Sequence, residues 1–201
     1  MAGLVIVGAI VTIGIVSWIQ DSRLASSTKA LEQLERTYSG WLELDEAGQK
    51  DKADALLSEA AALGAKYPKL YAGAKALMIQ GMVQNDSGNI EAAEKIWAAL
   101  ATAQPESHLA PVALVNASTA AENKGNNEAA LSYLNRYLEK YPGSAGQGRV
   151  LLSIGRIYES MKQYDKALET YTKLVASGDD SDWTKLAHDR IISVRSSGLV
   201  Q

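Results

Sequence analysis

The sequence predicts an all-α chain in three parts: an N-terminal transmembrane helix, an α-solenoid of stacked helix hairpins, and a C-terminal capping helix. Three observations carry this. The run from Ala2 to Ile19 holds no charge and has only Thr12 and Ser17 as weakly polar members. From Tyr71 to Asp182, four columns of residues recur at an interval of 37: Gly81, Ser118 and Gly155; Ala93, Ala130 and Ala167; Trp97, Leu134 and Tyr171; Pro105, Pro142 and Asp179. Beyond the third copy lies a segment with Trp183, Leu186, Ala187, Ile191 and Val194 expected on one face. A small residue, an alanine and a large residue at fixed offsets are what two antiparallel helices need in order to cross closely.

The apolar run has 18 residues. At ~1.5 Å per residue it reaches about 27 Å as a helix, close to the ~30 Å hydrocarbon core of a bilayer. Trp18 falls at its edge, where an interfacial aromatic would sit. A buried helix and a cleaved signal peptide are the alternatives; the second needs a basic leader and a small-x-small site, yet only the amino terminus precedes the run and no such site follows it closely. Arg23, Lys29 and Arg36 follow the run, and by the positive-inside rule they would hold the repeats in the cytoplasm. A natural start seldom opens directly on such a run, so a basic cytoplasmic segment is expected to precede it. The anchor is placed at 1–20 and a juxtamembrane helix at 21–28.

Leu24, Leu31 and Tyr38 recur every seven residues, with Leu34 and Trp41 between them, so helix is expected from Arg23 to about Gly48. This is either a short coiled coil or the first helix of a repeat. Pro68 lies 37 residues before Pro105, which favours a divergent first repeat at 29–70, with its second helix over Asp51 to Lys66. Repeats at 71–107, 108–144 and 145–180 follow. Their helices are expected near Tyr71 to Asp86, Asn89 to Ala103, Ala110 to Lys124, Asn127 to Tyr141, Gly148 to Lys162 and Tyr164 to Ala176. Gly88 and Gly125 mark intra-pair turns with Asn as N-cap, and Lys162-Gln163-Tyr164-Asp165 makes the third turn without glycine. Asp180-Ser181-Asp182 opens the capping helix and tail at 181–201, which a finite solenoid requires.

The columns resemble the tetratricopeptide repeat, best in the third copy with Ile154, Gly155, Tyr158, Ala167 and Tyr171; in the second, Ala121 replaces the expected tyrosine. The family period is 34, so the extra residues are expected between each proline and the next helix. The resemblance implies a groove lined by the first helix of each pair. That puts Lys75, Met78, Met82 and Asn85 there from one copy, Val112, Val115, Thr119 and Glu122 from the next, and Arg149, Leu152, Arg156 and Glu159 from the third. Met78 and Met82 are flexible apolar contacts for a partner or else core-edge residues. They stand where the chaperone-binding members carry Lys and Asn, so a carboxylate clamp is not expected.

An anchor running directly into a short repeat array, the Trp18 boundary and the helix Ser181 to Ile191 together resemble the YfgM-like family, the ancillary subunit of the bacterial SecYEG translocon. The resemblance implies a single-pass inner-membrane protein with periplasmic repeats. Its partners would be translocon subunits, exported polypeptides or periplasmic chaperones. The alternative is a scaffold subunit of a cell-envelope complex for division, outer-membrane assembly or motility.

The rest of the composition narrows the function by exclusion. A net charge of −3 with no basic block gives no basis for a nucleic-acid partner. With no cysteine there is no disulfide framework, thiol nucleophile or lipobox. His108 and His188 are the only histidines, and neither has a second histidine at i+4. Asp179, Asp180 and Asp182 lack the glycine and distal glutamate of a calcium loop and read as a helix cap. No GxGxxG, GxxxxGK[ST] or GxSxG occurs. A protein-binding module is expected, with no catalytic residues, cofactor, metal or small-molecule substrate.

Overall fold

The structure, a computed structural model, describes residues 2–178 and 181–198, with side chains from residue 13 onward. The helices are α1 (Ala2–Leu42), α2 (Glu46–Lys66), α3 (Tyr71–Asp86), α4 (Ile90–Ala103), α5 (Ala110–Asn123), α6 (Asn127–Lys140), α7 (Gln147–Ser160), α8 (Tyr164–Val175) and α9 (Asp182–Ser196). Among the described residues there is no strand. The chain divides into two compact units, residues 1–88 and 89–201. The division falls inside the segment 71–107; in the first unit α3 packs on α2 and α1, and in the second α4 packs on α5.

In the first unit, α1 runs without a break through the segments expected as anchor, juxtamembrane helix and first repeat. Ile13, Ile15, Val16, Trp18, Ile19 and Leu24 are exposed, and among the described side chains the first buried one is Ser27, whose hydroxyl donates to Leu24 O at 2.8 Å. Among the described residues, no helix is long and apolar enough to cross a membrane. The side chains of residues 2–12, which carry most of the anchor expectation, lie outside the described residues.

Beyond Ser27 the helix becomes a packing element. Leu31, Leu34 and Trp41 join Leu56, Ala60 and Leu63 of α2 and Ala72, Ile79 and Val83 of α3 in one core. The expected boundary between α1 and α2 is corrected. The first helix stops at Leu42, and α2 starts at Glu46 because the Asp45 carboxylate accepts from Gly48 N at 2.9 Å. The Trp41 indole closes the turn by donating to Gln49 O at 2.9 Å, and the Gln49 amide returns a bond to Trp41 O at 3.3 Å.

The second unit is a run of hairpins: α5 packs on α4 and α6, α7 on α6 and α8, and α9 on α8 and α7. The repeat columns do the packing expected of them. Ala130, Ala167, Leu134 and Tyr171 are buried, and a Cβ added at Gly155 would stand 2.6 Å from two ring atoms of Tyr171. The two connectors are built alike, each as two turns in series: Ser107 N to Gln104 O and Ala110 N to Ser107 O, then Ser144 N to Tyr141 O and Gln147 N to Ser144 O. The residues in excess of the family period therefore form ordered turns.

Gly88 and Gly125 take φ of 81° and 75°, and Lys162, at the same place in the third copy, takes φ of 58°. Asn126 caps α6 by accepting from Ala129 N at 3.1 Å, whereas Asn89 occupies the N-cap of α4 without a side-chain capping bond. Asp179 and Asp180 lie outside the described residues; Ser181 caps α9. The expected stripe on α9 is narrower than the sequence suggested. Ala187 and Val194 are buried and Ile191 packs partly on the core, but Trp183 and Leu186 are exposed. Leu186 lies off the 187–191–194 line, and Trp183 overhangs in the first turn, its ring edge covering Gly148.

Two stability measurements follow from these contacts. Gly155→Ala drives a methyl into a ring that has no room to move and should destabilise the chain by about 1–3 kcal/mol in urea unfolding. Lys162→Gly relieves a left-handed non-glycine residue and should stabilise it by roughly 0.5–1 kcal/mol in the same assay.

Candidate protein-binding face

In the second unit the first helix of each hairpin presents the residues that the register assigns to a groove. On α5, Val112 and Thr119 are exposed and Val115 and Glu122 are half-buried; the Thr119 hydroxyl donates to Val115 O at 3.1 Å. On α7, Arg149 and Arg156 are exposed, Glu159 is half-buried, and Leu152 is buried. Leu152 belongs to the core with Tyr171 and Ala187 and offers a partner little surface.

Two ion pairs cross this face. Arg156 of α7 donates to Glu122 of α5 at 2.7 Å. Arg190 of α9 grips Glu159 of α7 with two nitrogens, Nε lying 3.0 Å from Oε1 and the second contact shorter. Glu122 and Glu159 occupy the same register position, and in each of these two copies the acid reaches an arginine two helices further on. The exposed pair contributes little, about 0–1 kcal/mol. The two-point grip on Glu159 holds α9 in a fixed orientation.

Glu159 also accepts from the Tyr171 hydroxyl at 2.6 Å. Burial pushes its carboxyl up, but the hydrogen bonds from Arg190 and Tyr171 and the charges of Arg190 and Arg156 outweigh that and hold it below the ordinary 4.5. Burial, then the bond to Glu159, pushes the Tyr171 phenol well above its usual range. The ring that closes the α7–α8 hairpin therefore also steadies the acid on the face.

The first unit carries the other four assigned residues on α3. Lys75 pairs with Glu35 of α1 at 3.7 Å. Met78 is buried, and Met82 packs against the core with its sulfur 3.8 Å from the Tyr38 hydroxyl. The Asn85 amide donates to the adjacent Asp86 carboxylate at 3.1 Å. Of the two readings of Met78 and Met82, the structure places both with the core.

Several polar residues escaped the sequence reading. Arg190 was assigned to no face, and Glu94 had no assigned role. Glu94 is buried on α4 with Tyr133 of α6 donating at 3.0 Å and Lys124 Nζ at 2.6 Å, an internal tie between α4, the end of α5 and α6. The repeated spacing of Glu122 and Glu159 was the one available signal for the ladder. No cluster of three metal-ligating side chains occurs among the described residues.

Family models described as tetratricopeptide repeat match residues 112–144 and 148–177. These segments are tetratricopeptide repeats. The solved structures that the chain resembles share the fold. A tetratricopeptide repeat protein from Parabacteroides merdae superposes with a TM-score of 0.61 at 18% identity, covering 84% of this chain and 61% of that one. This chain thus spans under two thirds of that protein's length. BtubC (BKLC) from P. vanneervenii gives 0.54 at 13%, covering 88% and 91%, and MamA gives 0.54 at 19%, covering 78% and 86%. No curated protein matches in sequence.

The depressed acid gives the repeats a signed pH dependence. Glu159 contributes stability that is in place above its unfolded value near 4.5 and is lost as pH falls through its lower folded value. In thermal melts, the fall in midpoint below pH 4.5 should be shallower in Glu159→Gln than in the parent, with the variant already less stable at pH 7.

Proposed function

We propose that this chain is a non-catalytic binding module, anchored in the inner membrane by its N-terminal helix with its repeats in the periplasm. Like the YfgM-like family it resembles, it would engage the Sec translocon, exported chains or periplasmic chaperones. The observation that supports anchoring is the exposure of Ile13, Ile15, Val16, Trp18 and Ile19. At about 100° per residue these five are distributed widely around the helix. A helix that docks on one protein surface shows an apolar stripe, whereas one that is apolar on most sides needs an apolar surround.

The binding role rests on the repeats. The Arg190–Glu159 grip orients α9 on α7, and together with Arg156–Glu122 it neutralises most of the charge on that face, leaving Val112, Val115, Thr119 and Arg149 to a partner. The same fixed geometry favours the second reading, a scaffold holding one partner of set shape, because a preorganised face loses little entropy on binding.

In intact spheroplasts, externally added protease should digest the repeat region, and affinity capture from detergent-solubilised membranes should recover translocon subunits or exported chains. Protection of the repeats overturns the periplasmic assignment. A single stoichiometric envelope partner would select the scaffold reading.

A further inference from the structure

The end of the first unit nearest the apolar half of α1 differs from the rest of its surface. Trp41 and Gln49 face each other across the α1–α2 turn, and equal lengths of helix measured from that pair end at Leu24 on α1 and Lys66 on α2. The turn between α2 and α3 therefore returns to the level where α1 leaves the core, which agrees with Ser27 being the first buried residue among the described side chains. From Ala60 to Asn85 the chain has no acidic residue and carries Lys66, Lys69 and Lys75. Lys75 is paired with Glu35. Among the described residues, Arg23, Lys66 and Lys69 form no ion pair, and all three are exposed. Tyr71, the first residue of α3 and two residues after Lys69, is 56% exposed.

We propose that Arg23, Lys66, Lys69 and Tyr71 form a surface that rests on the anionic headgroups of the bilayer holding α1. This deepens the anchoring reading and depends on it. Ile19, the last residue of the apolar run, lies about 8 Å along the helix from Leu24. With headgroups occupying roughly 5–8 Å beyond the hydrocarbon, the turn arrives at their outer edge. Lysine side chains then reach the phosphates within a Debye length of ~8–10 Å. A tyrosine at that level suits the amphipathic interface. Because α1 has no break between Ile19 and Ser27, the unit tilts together with the helix, and attraction to anionic headgroups draws the turn closer to the surface.

The test uses the full chain, which has no cysteine of its own. A fluorophore on Ala65→Cys reports the turn, and one on Ala47→Cys the far end of α2; both sites are exposed. The chain is reconstituted with vesicles of phosphatidylcholine alone or of phosphatidylcholine and phosphatidylglycerol in equal parts, with headgroup-linked acceptors. Flotation of the chain with both vesicle types reports anchoring. Energy transfer from residue 65 should rise about twofold on the anionic vesicles, return in ~0.5 M salt, and stay flat at residue 47. In a Lys66→Glu, Lys69→Glu background the rise should vanish while flotation persists. Flotation with no response at residue 65 overturns this surface and leaves the anchor intact. Failure to float on either vesicle overturns the anchor, and the surface with it.

Discussion

The close contact between the Tyr171 ring and the bare backbone at Gly155 sets the geometry around it. A side chain at Gly155 would push α7 and α8 apart. Without one, the ring lies deep enough for its hydroxyl to reach Glu159, and Glu159 in turn receives Arg190. One small-to-large packing event therefore fixes the hairpin, orients an acid on the exposed face and seats the last helix. The three are coupled through a single aromatic residue that is fully buried.

The same dependence explains what the sequence disclosed. Helix positions followed from the period of 37, because close packing restricts which residues stand at the crossing points and repeats that restriction in each copy. Residues whose role depends on a neighbour from another helix left little trace. Glu94 looks like any surface glutamate, yet Tyr133 and Lys124 make it an interior one. Leu152 fits a groove by register, but α9 packs against the core it joins. The register placed a turn at Lys162, but its residue type gave no sign of the left-handed backbone that its glycine counterparts take. The α1–α2 boundary was misplaced because the first helix was carried on to Gly48, although the heptad's next positions are Asp45 and Gly48 and Asp45 opens a new helix.

Charge is handled differently on the two faces of the second unit. Glu122, Arg156, Glu159 and Arg190 neutralise one another in succession along the first helices. On the second helices one ion pair, Glu94 with Lys124, is largely buried, and other links run to backbone or hydroxyl groups: Arg136 reaches Ala101 O and Thr102, and the Tyr141 hydroxyl donates to Pro105 O. Hydrogen bonds to backbone carbonyls depend little on salt, whereas exposed ion pairs are screened by it. Ionic strength therefore acts mainly on the face that the register assigns to partners.

The unbroken course of α1 has an angular consequence. A helix turns about 100° and rises ~1.5 Å with each residue, so the stretch from Ile19 to Ser27 works as a dial as well as a spacer. One added residue would swing the first unit by more than a quarter turn about the axis of α1 with almost no change in height, and seven would bring it nearly back to its original heading. Which way this unit looks is therefore encoded in the number of residues between its core and the apolar run, whatever their identity.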